Sequence, residues 1–261
     1  MRARDTSAGA PCWMDLNTSD SAVARDFYTG LFGWGAGEAS PEFGGYFMFM
    51  SGEAPVAGCM PAMAGGAADV WSIYLTSEDA QRTVDAATSA GGQVVVPPMA
   101  VADLGTMGMV LDPGGAAIGL WQPGQFAGMQ QVGDPGQPSW FELHTRDYDK
   151  ALDFYRDVFG WTTEVLSDQP GMRYTVLSHG GNPLAGVMDA SGWGPEEPMG
   201  WWVYVWVEDA DETLKRVIDL GGSVIRPAED TPYGRLATAA DPEGAVFKLM
   251  AANDQMPNGG A

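Results

Sequence analysis

The chain has 261 residues, 45% apolar and 11% aromatic, enough for two domains with cores of their own. Lys plus Arg number 13 against 34 for Asp plus Glu, a net charge of −21, which argues against nucleic acid or an anionic membrane as a partner because both need a basic surface. No run approaches the roughly 18 apolar residues of a membrane span, and no apolar stretch follows the charged opening, so the expectation is a cytoplasmic protein with Cys12 and Cys59 reduced.

In chain order, Cys12–Leu16 alternates as a strand, with Cys12, Met14 and Leu16 on one face and Trp13, Asp15 and Asn17 on the other. A helix follows, capped around Ser19–Ser21, carrying Val23, Phe27 and Leu31 on one stripe and ending at Gly33. Two short strands are predicted near 45–51 and 56–62, then a strand over 71–76 and a helix of about twelve residues closed by Gly91-Gly92. A strand near 93–96 leads into a hairpin whose turn is Asp112-Pro113-Gly114-Gly115, with 116–121 as the closing strand.

The same series then recurs. Trp13, Asp20, Phe27-Tyr28 and Phe32-Gly33-Trp34 return 127 residues later as Trp140, Asp147, Phe154-Tyr155 and Phe159-Gly160-Trp161. Trp71 to Tyr74 returns as Trp201 to Tyr204, and Asp112-Pro113 as Asp241-Pro242. Matches in one order with so little drift indicate a tandem duplication. The halves run over 11–124 and 138–252, joined by a Gly-, Pro- and Gln-rich linker at 125–137. The second copy predicts strands near 140–144, 172–178, 183–189, 201–207, 223–226 and 245–250, and a helix with Ala151, Tyr155 and Phe159 on its stripe.

The chain resembles the vicinal oxygen chelate superfamily, the group of glyoxalases, bleomycin-resistance proteins and extradiol dioxygenases. The carriers are the Phe-Tyr-x-x-x-Phe-Gly-Trp helix after the first strand, the Gly-Gly pair and the Asp-Pro-x-Gly closing hairpin, present in both halves. More closely, it is similar to actinobacterial tandem members. The resemblance implies an α+β fold of two tandem βαβββ-type modules, whose curved mixed sheets enclose a pocket facing away from the helices.

Metal-dependent members place ligands on the first strand, the strand before the second helix and the last strand. The corresponding positions here hold Trp13 and Trp140, Ser72 and Trp202, and Gly119 and Lys248. None is a usual ligand for a divalent ion, so no metal and no cofactor is expected at these positions. Glu142 and His144 share one strand face about 6–7 Å apart at Cα. With Asp15 they are the candidates for acid–base work. Asn17 is the twin of His144. His179, in a Gly-Gly turn, reads as an exposed loop residue. The candidate ligand-binding wall is Trp13, Asn17, Tyr74, Trp140, Trp202, Tyr204 and Lys248, with Met48 and Met60 as adaptable apolar surface.

The leading expectation is a small-molecule-binding protein that holds a planar, apolar or aromatic compound between its halves without a metal. Its task would be drug sequestration or a cofactorless step of natural-product metabolism. The alternatives are a metal-dependent lyase or dioxygenase using a displaced Glu142/His144 site, and an interaction module with a filled pocket. The chain is expected as a monomer or homodimer.

Overall fold

The computed structural model describes residues 2–62 and 69–256. A short strand β1 (Arg2–Ala3) precedes the first copy, which runs β2 (Pro11–Thr18), α1 (Ser21–Phe32), β3 (Gly35–Ala36), β4 (Phe47–Ser51) and β5 (Ala54–Pro61). It continues through β6 (Val70–Thr76), α2 (Ala80–Ser89), β7 (Gln93–Val101), β8 (Gly105–Leu111) and β9 (Ala117–Pro123). After β10 (Gln131–Val132), the second copy repeats the series as β11 (Pro138–Thr145), α3 (Tyr148–Phe159), β12 (Thr162–Gln169), β13 (Met172–His179) and β14 (Asn182–Asp189). Its other half is β15 (Gly200–Trp206), α4 (Ala210–Asp219), β16 (Ser223–Thr231), β17 (Gly234–Ala240) and β18 (Val246–Ala251).

Each copy builds its own eight-stranded mixed sheet, ordered β3-β4-β5-β2-β6-β9-β8-β7 and β12-β13-β14-β11-β15-β18-β17-β16. Two βαβββ units therefore lie side by side in each sheet. They meet where β2 pairs antiparallel with β6, and β11 with β15. The described segments of chain 11–123 and 138–251 thus close two separate sheets, and β1 pairs with β10 from the connecting segment.

The helix signals act as expected from the sequence. Asp20 accepts from the Ala22 and Val23 amides, and Gly33 and Gly160 end α1 and α3 in the left-handed region at φ 69° and 68°. On α1 the buried stripe is Ala24, Phe27, Tyr28 and Leu31, so Tyr28 rather than Val23 completes it.

The two copies join through these helices. Tyr28 on α1 donates to Asp241 in the second copy's Asp-Pro turn at 3.1 Å, and Tyr155 on α3 donates to Asp112 in the first copy's turn at 3.2 Å. Each aspartate also accepts from the amides of its own turn, so one carboxylate closes the hairpin and latches the partner copy. Trp71 and Trp201 donate to the same tyrosines. Phe247 packs on Phe27 and Tyr28 across the join, and one continuous apolar core spans both copies.

Strand alternation now sorts the faces. Cys12, Met14, Leu16, Phe141 and Leu143 point into this shared core, so Trp13, Asp15, Trp140, Glu142 and His144 lie on the opposite face of their sheets.

Candidate active site

The second copy gathers its polar residues around the Glu142 carboxylate. The register brings Glu142 on β11 beside Gly186 of β14 on one side and Trp202 of β15 on the other. Oε1 accepts from Tyr204 Oη at 2.8 Å and lies 2.6 Å from His144 Nε2, while Oε2 accepts from Tyr174 Oη at 2.9 Å. Trp140 Nε1 donates to that same Tyr174 hydroxyl at 3.0 Å. Lys248 Nζ donates to Tyr204 Oη at 3.1 Å, stands 3.2 Å from His144 Nε2 and lies 3.8 Å from Glu142 Oε1. Its ammonium also faces the Tyr204 and Trp202 rings at 5.0 and 5.6 Å.

Gly186 makes room for this arrangement, because a side chain there would strike the Tyr174 hydroxyl that reaches over it to Glu142. Burial opposes charge on Glu142, but the hydrogen bond from His144, the Lys248 charge and the bond from Tyr204 outweigh it and hold the carboxyl at about 2. Burial also pulls Lys248 down to about 8 against the pull of Glu142, and lowers His144 despite its bond to Glu142.

The proton positions follow from counting. A single Nε2 cannot both donate to Glu142 and accept from Lys248. The 2.6 Å contact with an ionised carboxylate assigns the proton to Nε2. A neutral His144 then keeps its Nδ1 lone pair, and Lys248 keeps an N–H that His144 does not use.

The first copy carries a reduced version. Asp15 Oδ1 accepts from Trp13 Nε1 at 2.7 Å and Tyr46 Oη at 2.9 Å, and Trp13 also reaches Tyr46 at 3.0 Å. Tyr74, in register with Trp13, also favours the charged form of Asp15, and Gly58 is the open floor beneath Tyr46. Asn17 stands where the second copy has His144, and Gly119, in register with Tyr74, stands where it has Lys248. Among the described residues no cation acts on Asp15, so burial raises its carboxyl, and the bonds from Tyr46 and Trp13, with the influence of Tyr74, only partly offset it. Met48 lies across Gly58 from Asp15, and Met60 lies beside Asn17. Phe126, from the connecting segment, packs edge-on against Trp13 at 4.9 Å.

The expected single pocket between the halves is corrected by this geometry. Glu142, His144, Trp140, Trp202, Tyr204 and Lys248 assemble in one sheet, while Asp15, Trp13, Tyr74, Asn17, Met48 and Met60 assemble in the other, because each copy closes its own sheet. Nor does Trp202 complete the row with Trp140 and Lys248: the residue in register with both is Tyr204. His179 is half-buried at the end of β13, with Nδ1 enclosed and lacking a hydrogen-bond partner, rather than exposed. Tyr46 and Tyr174 were absent from the candidates. Their shared spacing within the repeat was the signal that marks them.

A cleft of about 360 Å³ opens beside the start of β11, bordered by Arg4, Asp5, Val132, Ser139, Trp140 and Leu184, and shares Trp140 with the Glu142 cluster. Among the described residues no three His, Cys, Asp or Glu side chains converge as a metal seat, and no helix is long and apolar enough to cross a membrane.

A fold of two side-by-side βαβββ units per sheet, repeated in tandem, defines the class. The chain belongs to the Glyoxalase/Bleomycin resistance protein/Dioxygenase superfamily, which it matches over residues 12–120 and 137–249. It is 37% identical over 264 residues to the anthracycline biosynthesis protein DnrV of Streptomyces peucetius, covering 95% of each chain. It is 38% identical over 248 residues to CFP32 of Mycobacterium tuberculosis, which carries a provisional glyoxylase name, covering 93% of this chain and 94% of that one. The Mn(II)-bound glyoxalase of Novosphingobium aromaticivorans shares the fold, with a TM-score of 0.65 at 14% identity over 98% of this chain and 84% of its own.

Proposed function

We propose that the chain binds a planar, largely aromatic small molecule on the open face of its second copy, and that it sequesters this compound or carries it through a cofactorless proton transfer in natural-product metabolism. One observation carries the reading: the buried Glu142–His144 pair, tied to Tyr174, Tyr204 and Lys248, lies on the Trp140 strand, with Glu142 in register with Trp202 on the next strand. The indoles offer flat apolar surface, and the cluster beside them offers a proton acceptor and a cation. The relationship to DnrV, named for anthracycline biosynthesis, supports a fused-ring phenolic or quinone ligand.

In this reading Glu142 orients His144 and steadies positive charge on it, as the carboxylate of a catalytic triad does for its imidazole. His144 Nδ1 is the acceptor for a phenolic or enolic proton. The Lys248 ammonium holds the oxygen that becomes negative. Asp15, on the first copy, takes no part in this transfer. The residues present do not suit the divalent metal of the wider superfamily, since an ammonium stands against the one carboxylate–imidazole pair, and no step is routed through a metal.

Tryptophan-fluorescence titration with 1,8-dihydroxyanthraquinone tests the reading. Saturable quenching is expected, weakened in W140F. Absence of quenching by this compound and by a panel of planar phenols and quinones would overturn it and favour a filled interaction module. Stoichiometric metal in the purified protein, lost together with activity in E142A or H144A, would establish the metal-dependent alternative.

A further inference from the structure

The Glu142–His144 pair is a carboxylate and an imidazole 2.6 Å apart on one strand, the start of a divalent-ion seat in donor chemistry. What stands against both donors is Lys248 Nζ, at 3.2 Å from Nε2 and 3.8 Å from Oε1. Its side chain is 12% exposed and that of Glu142 9%, so the positive nitrogen is built into the site rather than swinging past it. Tyr204 fixes its position with a hydrogen bond at 3.1 Å, and the Trp202 and Tyr204 ring faces flank it. Arg226, whose charge also acts on His144 and Lys248, is engaged by Glu197 at 2.6 Å and lies over Trp193.

We infer that Lys248 is an internal cation occupying the seat that a divalent metal would take between Glu142 and His144, so that one lysine both neutralises the buried carboxylate and bars metal from the site. A fixed ammonium and a bound dication cannot share that space: their repulsion at 3–4 Å in a partly dry site exceeds what one carboxylate and one imidazole return. The same ammonium gives an anionic ligand oxygen a donor that needs no loading from solution. The inference extends the functional reading above, yet its test needs no organic ligand, so the two fail separately.

The test is Mn²⁺ titration followed by electron paramagnetic resonance. The wild-type chain with one equivalent of Mn²⁺ is expected to leave the free-ion signal essentially unchanged, apart from weak association with its acidic surface. K248E exchanges the cation for a third donor and is expected to bind Mn²⁺ at least tenfold more tightly than wild type, with the gain abolished in the K248E/E142Q double variant. Circular dichroism checks folding, and K248H supplies a neutral donor at the same position if K248E does not fold. Tight Mn²⁺ binding by the wild type that is lost in E142Q overturns the inference. Folded K248E or K248H with no gain over wild type also overturns it.

Discussion

The two copies share a fold and differ at four positions of one site. Both hang a carboxylate beneath a Trp, Tyr and Tyr set over a floor glycine: Asp15 with Trp13, Tyr46 and Tyr74, and Glu142 with Trp140, Tyr174 and Tyr204. The second copy adds His144 for Asn17, Lys248 for Gly119, Trp202 for Ser72 and a carboxylate longer by one methylene. The consequence is an opposite displacement of the two carboxyls. Asp15 is pushed toward its neutral form by burial, whereas Glu142 is held as an anion by His144 and Lys248. A duplicated hydrogen-bonding frame thus holds an imidazole and an ammonium beside its carboxylate in one copy and neither in the other.

The largest expected effect separates the copies by stability. E142A leaves Lys248 buried without its counter-charge and is expected to cost about 3–5 kcal/mol, read as a loss in the urea midpoint. D15N keeps an acceptor for Trp13 and Tyr46 and removes a carboxyl that burial disfavours, so its midpoint is expected to stay within about 1 kcal/mol of wild type. Equal losses in the two would erase the distinction.

Acid should separate them by sign. Glu142 has a folded value of about 2 against an ordinary 4.5, so its contribution is complete above pH 4.5 and is lost as pH falls toward 2. At about 1.4 kcal/mol per unit this amounts to about 3 kcal/mol. Asp15 is raised above its ordinary 3.8, so its contribution is greatest below that value and is lost as pH rises through the folded value. Urea midpoints from pH 2.5 to 7 should therefore flatten on the acid side in E142Q and rise toward neutral pH in D15N.

The shared frame predicts similar behaviour. G58A and G186A each drive a methyl group into the tyrosine hydroxyl above, Tyr46 in one case and Tyr174 in the other. Each is expected to cost about 1–3 kcal/mol by calorimetry, as overpacking does. Y28F and Y155F remove the latches to Asp241 and Asp112 and the acceptors of the Trp71 and Trp201 indoles. About 1–3 kcal/mol each is expected, since both aspartates keep the amides of their own turns but each buried indole N–H loses its partner.

Much of the fold was legible because duplication displays each signal twice. The cap glycines, the Gly-Gly helix ends and the Asp-Pro turns stand at matched places, and their physical roles are local. What was not legible lacks local signal. β12 is exposed along nearly its whole length and has no apolar alternation, β8 carries glycines at 105 and 108, and β7 continues past 96 through Pro97-Pro98, with one register shift before the prolines and one across them. Such strands are held by their neighbours rather than by propensity.

The site divides in the same way. Strand alternation put Trp140, Glu142 and His144 on one face, the repeat drew attention to Tyr204, and the last-strand ligand position of the resembling family drew attention to Lys248. Tyr174 was missed because it arrives from two strands away over Gly186, a contact set by register rather than by sequence distance. The separation into two sites was missed for a related reason: alternation gives the face of a strand but not which sheet closes around it. The Asp-Pro turns read only as turns, and their second role as latches between copies depends on where Tyr28 and Tyr155 arrive.

The difference between the copies meets its most direct test in parallel fluorescence titrations of 1,8-dihydroxyanthraquinone into H144A, K248M and D15N. If the second copy is the reactive, anion-holding site, D15N binds as wild type does, and H144A and K248M lose at least tenfold in affinity while remaining folded. If D15N abolishes binding and the two second-copy variants leave it intact, the assignment of roles to the two copies is contradicted.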